Sequence, residues 1–263
     1  MKWWKKTIGT KIDKRTKGQR VIVAKKLLKV YGTKSTNKLY KWSSVLNTEF
    51  SGRFVLSPEP NQHNERIYAE SLDDIPYELK TKSKQKFQKS VMLWGGISSC
   101  GLFPKQSPIF VDEWLEQIRP SDTDRRKKIY LTGERYAQFI RTIVAKAAAK
   151  EFDDLQNVIF RDDQDNKQRM SVALEAVQYV FPNRIAPSDC AAKLADVWPI
   201  ENVWGALKEK LRGREYRNFE QLKNHIKKEW KKFDASFCEQ LMEKIPARLK
   251  LLVDQNANQI CQH

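Results

Sequence analysis

The sequence predicts an α/β layer fold, and three observations predict it. From Trp42 to Phe110 the chain is built of short apolar runs bounded by glycine and polar turns, the pattern of strands. Beyond Thr132 the apolar residues recur at three- and four-residue spacing, the pattern of helices. One short apolar run, Asn157-Val158-Ile159-Phe160, lies among those helices, so strand and helix alternate as a layered fold requires.

Taken in order, residues 1–44 hold fourteen Lys or Arg and one acid, Asp13. Within them Val21 to Tyr31 reads as a short basic amphipathic helix, and Trp3 and Trp4 form a second apolar patch. Val45-Leu46 and Arg53-Phe54-Val55-Leu56 flank Ser51-Gly52 and predict a hairpin or a bulged strand. Residues 57–65 are turn-rich, and Ile67-Tyr68-Ala69 predicts a further short strand. Ser90 to Ser98 predicts a buried strand, Gly101 to Phe110 an edge strand or extended loop, and residues 119–128 a polar loop.

Thr132 caps a helix with the stripe Tyr136, Phe139, Ile140, Ile143, Val144 and Ala147. Ser171 opens another, with Ala173, Ala176, Val177 and Val180 inward, and a short strand or turn follows at Arg184-Ile185. Pro199 starts a helix with the stripe Ile200, Val203, Trp204, Leu207 and Leu211. Asn218-x-x-Gln221 and Ser236-x-x-Glu239 read as capping boxes for closing helices. Their stripes are Phe219, Leu222, Ile226, Trp230 and Phe233, then Leu241, Met242, Ile245, Leu249 and Leu252.

The chain has 263 residues and a net charge of +17, of which +13 lies before Val45. Charge of that size points to an anionic partner, with nucleic acid first and an acidic membrane surface second. Cys100, Cys190, Cys238 and Cys261 are widely spaced with no C-x-x-C or Cys/His cluster, which argues against zinc and for reduced thiols. No apolar run is long enough to span a bilayer, and the start has no signal-peptide core. The expectation is an intracellular protein with no membrane partner. A nuclear address is read from the basic run Lys11 to Arg20.

Two acids stand where a site would form. Asp163 follows the predicted strand at Asn157–Phe160, and Glu201 lies in the first turn of the Pro199 helix. Both can reach the carboxyl edge of a sheet, where sites collect. Two carboxylates meeting there repel unless a cation joins them, and hard oxygen ligands favour Mg²⁺ or Mn²⁺. A third acid would be needed from the first strand, and Glu49 is the one near it. Each also has a plain alternative: Glu201 can favour a helix N-terminus, Asp163 can cap a turn, and Glu49 can be a surface strand residue. Spacing does not choose. The Asp162 to Asn166 run lacks the glycine and the final acid of a calcium loop.

The blocks Val91-Met-Leu-Trp-Gly-Gly-Ile-Ser98, Val158-Ile-Phe-Arg-Asp-Asp163 and Trp198-Pro-Ile-Glu-Asn-Val-Trp-Gly-Ala-Leu-Lys208, in that order, resemble the catalytic domain of mariner-type cut-and-paste transposases. The resemblance runs from about Trp42 to Leu252 and takes in Asn218 to Trp230 and Ile245 to Leu249. It implies a ribonuclease H-like fold with a mixed central sheet flanked by helices and extra C-terminal helices. It also implies an acidic triad that holds Mg²⁺ or Mn²⁺, cleavage of DNA at transposon ends, and joining of a 3′-hydroxyl to target DNA. Asp163 matches the second acid and Glu201 the third, with 37 residues between them. Glu49 stands at the first position when counted from Trp42. Anchoring on Glu49-Phe50-Ser51-Gly52 puts Thr48 there instead. Gln168 replaces the histidine usual five residues after the second acid.

The family's paired helix-turn-helix is not matched, so the expected organisation is N-terminally truncated. Residues 1–41 form a basic arm or linker, 42–255 the catalytic domain, and 256–263 a tail. DNA contacts are expected at Lys11, Lys14, Arg15, Lys17, Arg20, Lys25, Lys26, Lys208 and Arg212, and a homodimer is carried as an expectation. Two other readings remain: an inactive nucleic-acid-binding module, and a basic scaffold or membrane-surface protein using Trp3 and Trp4.

Overall fold

A computed structural model describes residues 12–32, 41–56, 67–80, 90–122, 124, 126–163 and 165–260. Trp3, Trp4, Lys11, Cys261 and the turn-rich stretch 57–65 lie outside them.

The chain runs α1 (Lys14–Tyr31), β1 (Val45–Phe50), β2 (Phe54–Val55), a short α2 (Tyr77–Lys80), β3 (Ser90–Val91), β4 (Leu93–Ser98), β5 (Gly101–Phe103) and β6 (Ile109–Phe110). Then come α3 (Val111–Gln117), α4 (Gly133–Phe139), α5 (Ala145–Glu151), β7 (Ile159–Arg161), α6 (Ser171–Val180) and β8 (Asn183–Arg184). Four helices close the chain: α7 (Pro199–Leu211), α8 (Phe219–Trp230), α9 (Ala235–Glu243) and α10 (Ile245–Asp254).

The central sheet has the order β5-β4-β1-β7-β8, with β6 also paired to β4. It is mixed: β1 runs antiparallel to β4 and parallel to β7, and β7 runs parallel to β8. Every residue of β4 is buried, as are Val45, Leu46, Asn47 and Thr48 of β1, because helices cover both faces of the central strands. Side chains alternate across the sheet, so two cores form. Val45 and Ile97 pack with α1, α7, α8, α9 and α10 on one face. Leu46, Trp94 and Phe160 pack with α3, α4 and α6 on the other.

Several sequence expectations change. The predicted hairpin does not form: β2 leaves the central sheet after Ser51 and pairs with β3 in a separate two-stranded sheet. Ile67-Tyr68-Ala69 is not a strand; Tyr68 is 89% exposed, and among the described residues no ladder offers it hydrogen bonds. The Ser236 box is also corrected. Asp234 caps α9 by accepting the Phe237 N–H at 2.7 Å, which leaves Ser236 inside the helix. Asn218 does cap α8 through the Gln221 N–H. Between α4 and α5 a wide π turn at Ile140–Val144 inserts extra residues, so Ala148 rather than Ala147 is buried.

The expected α7 stripe is the buried face of that helix. Its Trp204 stacks on Trp230 of α8, with ring centroids 5.5 Å apart. Both rings sit against Gly95 of β4. A Cβ there would lie 2.7 Å from Trp230 Cη2 and 3.2 Å from Trp204 Cη2, so only glycine admits the pair. Helix α1 is part of the same core. Arg20 is fully buried and pairs with Asp196 at 2.7 Å, and that carboxylate also accepts the Ile260 N–H.

Candidate acidic site

The register of the sheet decides which acids meet. Glu49 pairs opposite Gly95, so its side chain shares the face covered by α7 and α8. Asn47, two residues earlier, lies on that face too. Asn47 pairs with Arg161, the last residue of β7, and Asp163, two residues beyond it, lies close enough to act on Glu49. Thr48 points the other way. It is fully buried and donates its hydroxyl to the Arg161 carbonyl at 3.0 Å. Of the two alignments of the first position, Glu49 is thus the one that faces α7.

Helix α7 brings Glu201 to this face. Pro199 has no N–H, and the N-cap residue Trp198 makes no side-chain cap. The cap comes from the sheet instead: Asn47 Oδ1 accepts the Ile200 N–H at 3.1 Å. The first turn of α7 is thereby fixed beside β1, with Glu201 next in sequence. Glu49 hydrogen-bonds the Glu201 carboxyl and lies in the field of Asp163 and Arg161.

Burial pushes the Glu49 carboxyl up to about 8. Arg161 works against that rise, while Glu201 and Asp163 add to it. The Glu49 carboxyl therefore holds a proton at neutral pH. Asp162, one residue before Asp163, plays a different part. It faces the opposite core, where it binds Arg184 at 3.1 Å and the Tyr136 hydroxyl at 3.1 Å. Burial raises its pKa and Arg184 opposes the rise. Asp162 is the structural acid of the pair, and Asp163 the half-buried one beside Glu49.

The donor set suits a hard divalent cation. It consists of carboxylates, and Glu49 Oε2 is buried with no hydrogen-bond partner. As folded, however, no three His, Cys, Asp or Glu side chains among the described residues are disposed to ligate one ion. Gln168 is 2% exposed, lines a cavity of about 290 Å³ beside Phe50, and has neither amide atom hydrogen-bonded.

The basic residues divide. Lys14, Arg15 and Lys25 are exposed on α1, and Lys208 is exposed on α7. Lys208 Nζ also lies 5.6 Å from the Phe54 ring centroid and beside Gly52, near the Glu49 end of β1. Lys17 binds Asn258, Lys26 pairs with Asp189, and Arg212 pairs with Glu209. Arg20 is a correction: buried and held by Asp196, it cannot reach a phosphate. Two residues of the site went unnoticed in the sequence, Asn47 and Arg161. Their signal was a polar residue inside an apolar strand, two positions before an acid in each case.

The fold is ribonuclease H-like, a mixed sheet flanked by helices. Among solved structures, the chain is similar to the Mos1 mariner paired-end complex with manganese, with a TM-score of 0.76 at 15% identity over 99% of this chain and 68% of that one. It is similar to the Mos1 transposase catalytic domain with raltegravir and manganese, with a TM-score of 0.65 at 14% identity over 96% of this chain and 100% of that one. The Mos1 strand transfer complex matches with a TM-score of 0.70 at 12% identity over 99% of this chain and 67% of that one. No protein-family model matches the chain, and no curated protein sequence does.

Proposed function

We propose that this chain is a transposase-derived DNA-binding protein whose acidic site cleaves and rejoins DNA phosphodiesters with Mg²⁺ or Mn²⁺. The observation that carries the reading is that Glu49 lies on the sheet face covered by α7, within electrostatic reach of Glu201 and Asp163. The likeness to DNA complexes of a mariner transposase and to its manganese- and magnesium-containing structures supports it. Glu49, Asp163 and Glu201 would hold the ion. When bound, the ion supplies Lewis-acid charge that activates a water or 3′-hydroxyl and stabilises the leaving oxygen.

The chain's own residues then have defined tasks. Asn47 fixes the start of α7 and so the place of Glu201. Glu49 gives up its proton when the site is charged. Lys208, and Lys14, Arg15 and Lys25 on α1, offer positive charge to the DNA backbone, with Lys17, Lys26 and Arg212 available once their surface partners yield. Nuclear location and a homodimer go with this reading as proposals. No helix among the described residues is long and apolar enough to cross a membrane.

The test is nicking of supercoiled DNA with Mn²⁺. The unaltered chain should nick, and Asp163→Ala and Glu201→Ala should each abolish it. Nicking that survives both changes removes the site assignment. A second reading, a DNA-binding module without cleavage, is favoured by the Glu49 proton and the nearby Arg161 charge. Salt-dependent DNA binding without nicking would select it.

A further inference from the structure

The cavity beside Phe50 adjoins the acidic site from the opposite sheet face. Phe50 follows Glu49 in β1 but packs with the other core, and Gln168 lies in the turn after Asp163. The cavity measures about 290 Å³, near the lower end of small-ligand sites, roughly 300–1,000 Å³, so it suits a single ring system. Its walls are apolar: Phe50, Met92, Leu115, Ile129 and Leu131. One polar group stands among them. Gln168 is 2% exposed, and neither its amide oxygen nor its amide nitrogen has a hydrogen-bond partner among the described residues. A buried amide in that state is costly, and a ligand that bonds it removes the cost. Charged residues complete the lining. Asp165 is paired with Lys167 at 3.0 Å, and Asp112 accepts the Met92 N–H at 2.7 Å. Arg53 and Lys128, both exposed, are the charges left to meet an anion.

We infer that this cavity is a nucleotide site that takes one nucleobase, adenine foremost, with the attached phosphate on Arg53 and Lys128. A glutamine amide presents an acceptor and a donor side by side, and adenine answers with N7 and N6–H in a bidentate pair. The flat faces of the base suit the apolar walls, where Phe50 supplies an aromatic ring. A free mononucleotide and a base unstacked from a DNA strand share this chemistry and fill the cavity in the same way. The inference goes beyond cleavage at Glu49, Asp163 and Glu201, and it holds whether or not that site cuts DNA.

The experiment is a calorimetric titration of the full chain with dAMP, with EDTA present so that divalent ions play no part. Binding should weaken by about tenfold or more in Gln168→Leu, which loses the bidentate pair and keeps an apolar side chain in its place. The same variant should be at least as stable in urea as the unaltered chain, because an unbonded buried amide is gone. Lys128→Ala, an exposed change, should weaken dAMP and leave adenosine unaffected. A DNA hairpin with one unpaired adenine, set against its fully paired counterpart, separates the two sources. Binding of dAMP that depends on Gln168 supports a free nucleotide. A preference for the unpaired hairpin that Gln168→Leu abolishes, without dAMP binding, supports a base from the strand. Binding indifferent to Gln168→Leu, inorganic phosphate bound as tightly as dAMP, or no binding of either probe overturns the proposal. Failure of Gln168→Leu to fold would mean that the amide is bonded within the protein, which overturns it too. DNA nicking is a separate readout, so neither result decides the other.

Discussion

The Asn47 side-chain oxygen accepts the Ile200 N–H at 3.1 Å and so caps a helix 153 residues further along the chain. A strand residue here does what the helix's own N-cap, Trp198, does not. Asn47→Ala should lower the unfolding free energy by about 1–2 kcal/mol, because a buried N–H is left without an acceptor. Urea denaturation measures this directly. A loss within error of zero would mean that the cap is not what holds α7 to β1.

Glu49 makes stability depend on pH. Its carboxyl titrates near 4.5 in the unfolded chain and at about 8 in the folded one. Between those values the folded state keeps a proton that the unfolded chain has lost. Stability from this group is therefore full below about 4.5 and falls as pH rises towards 8. Without divalent ions, the unaltered chain should lose on the order of a few kcal/mol relative to Glu49→Gln between pH 5 and 8. Parallel denaturation curves for the two proteins at each pH would contradict the burial of Glu49 beside Glu201.

Gly95 gives a steric test. A methyl group at 2.7 Å from Trp230 Cη2 must displace the Trp204–Trp230 stack. Gly95→Ala should cost about 1–3 kcal/mol in thermal or urea unfolding. An unchanged midpoint would show that the two rings can move at no cost.

Arg20 and its neighbours on α1 separate stability from DNA binding. Arg20→Ala removes the buried guanidinium partner of Asp196 and should destabilise by about 3–5 kcal/mol. Joint replacement of the exposed Lys14, Arg15 and Lys25 by alanine should leave stability within about 0.5 kcal/mol. It should flatten the salt dependence of DNA binding by about 0.9 in the log–log slope for each phosphate that is no longer neutralised. An unchanged slope would place the DNA path elsewhere.

The parts of the fold that were legible in the sequence are those set by local chemistry. The α7 stripe and the inward face of α6 followed from apolar spacing alone, since one side of each helix is buried. Thr132 and Asn218 declared their caps in the same way. What spacing could not show was long-range. The Ser51-Gly52 turn separates two sheets instead of closing a hairpin, because β1 finds its partners in β4 and β7. The π turn at Ile140–Val144 shifts a stripe that a regular helix would have continued. Asp163 and Glu201 were visible as acids near element ends, but the choice between Thr48 and Glu49 needed the register against Gly95. Asn47 and Arg161 act only through that same pairing. The basic arm was visible as charge, whereas the burial of Arg20 depends on Asp196, far along the chain.

The most direct test of the acidic site is a crystal of the chain soaked in Mn²⁺ and measured at the manganese absorption edge. The expected result is an anomalous peak touched by carboxylate oxygens of Glu49, Asp163 and Glu201, at about 2.0–2.3 Å as hard-cation ligation requires. No peak there, or a peak held by other residues with Glu49 still bonded to Glu201, would contradict the metal-site assignment.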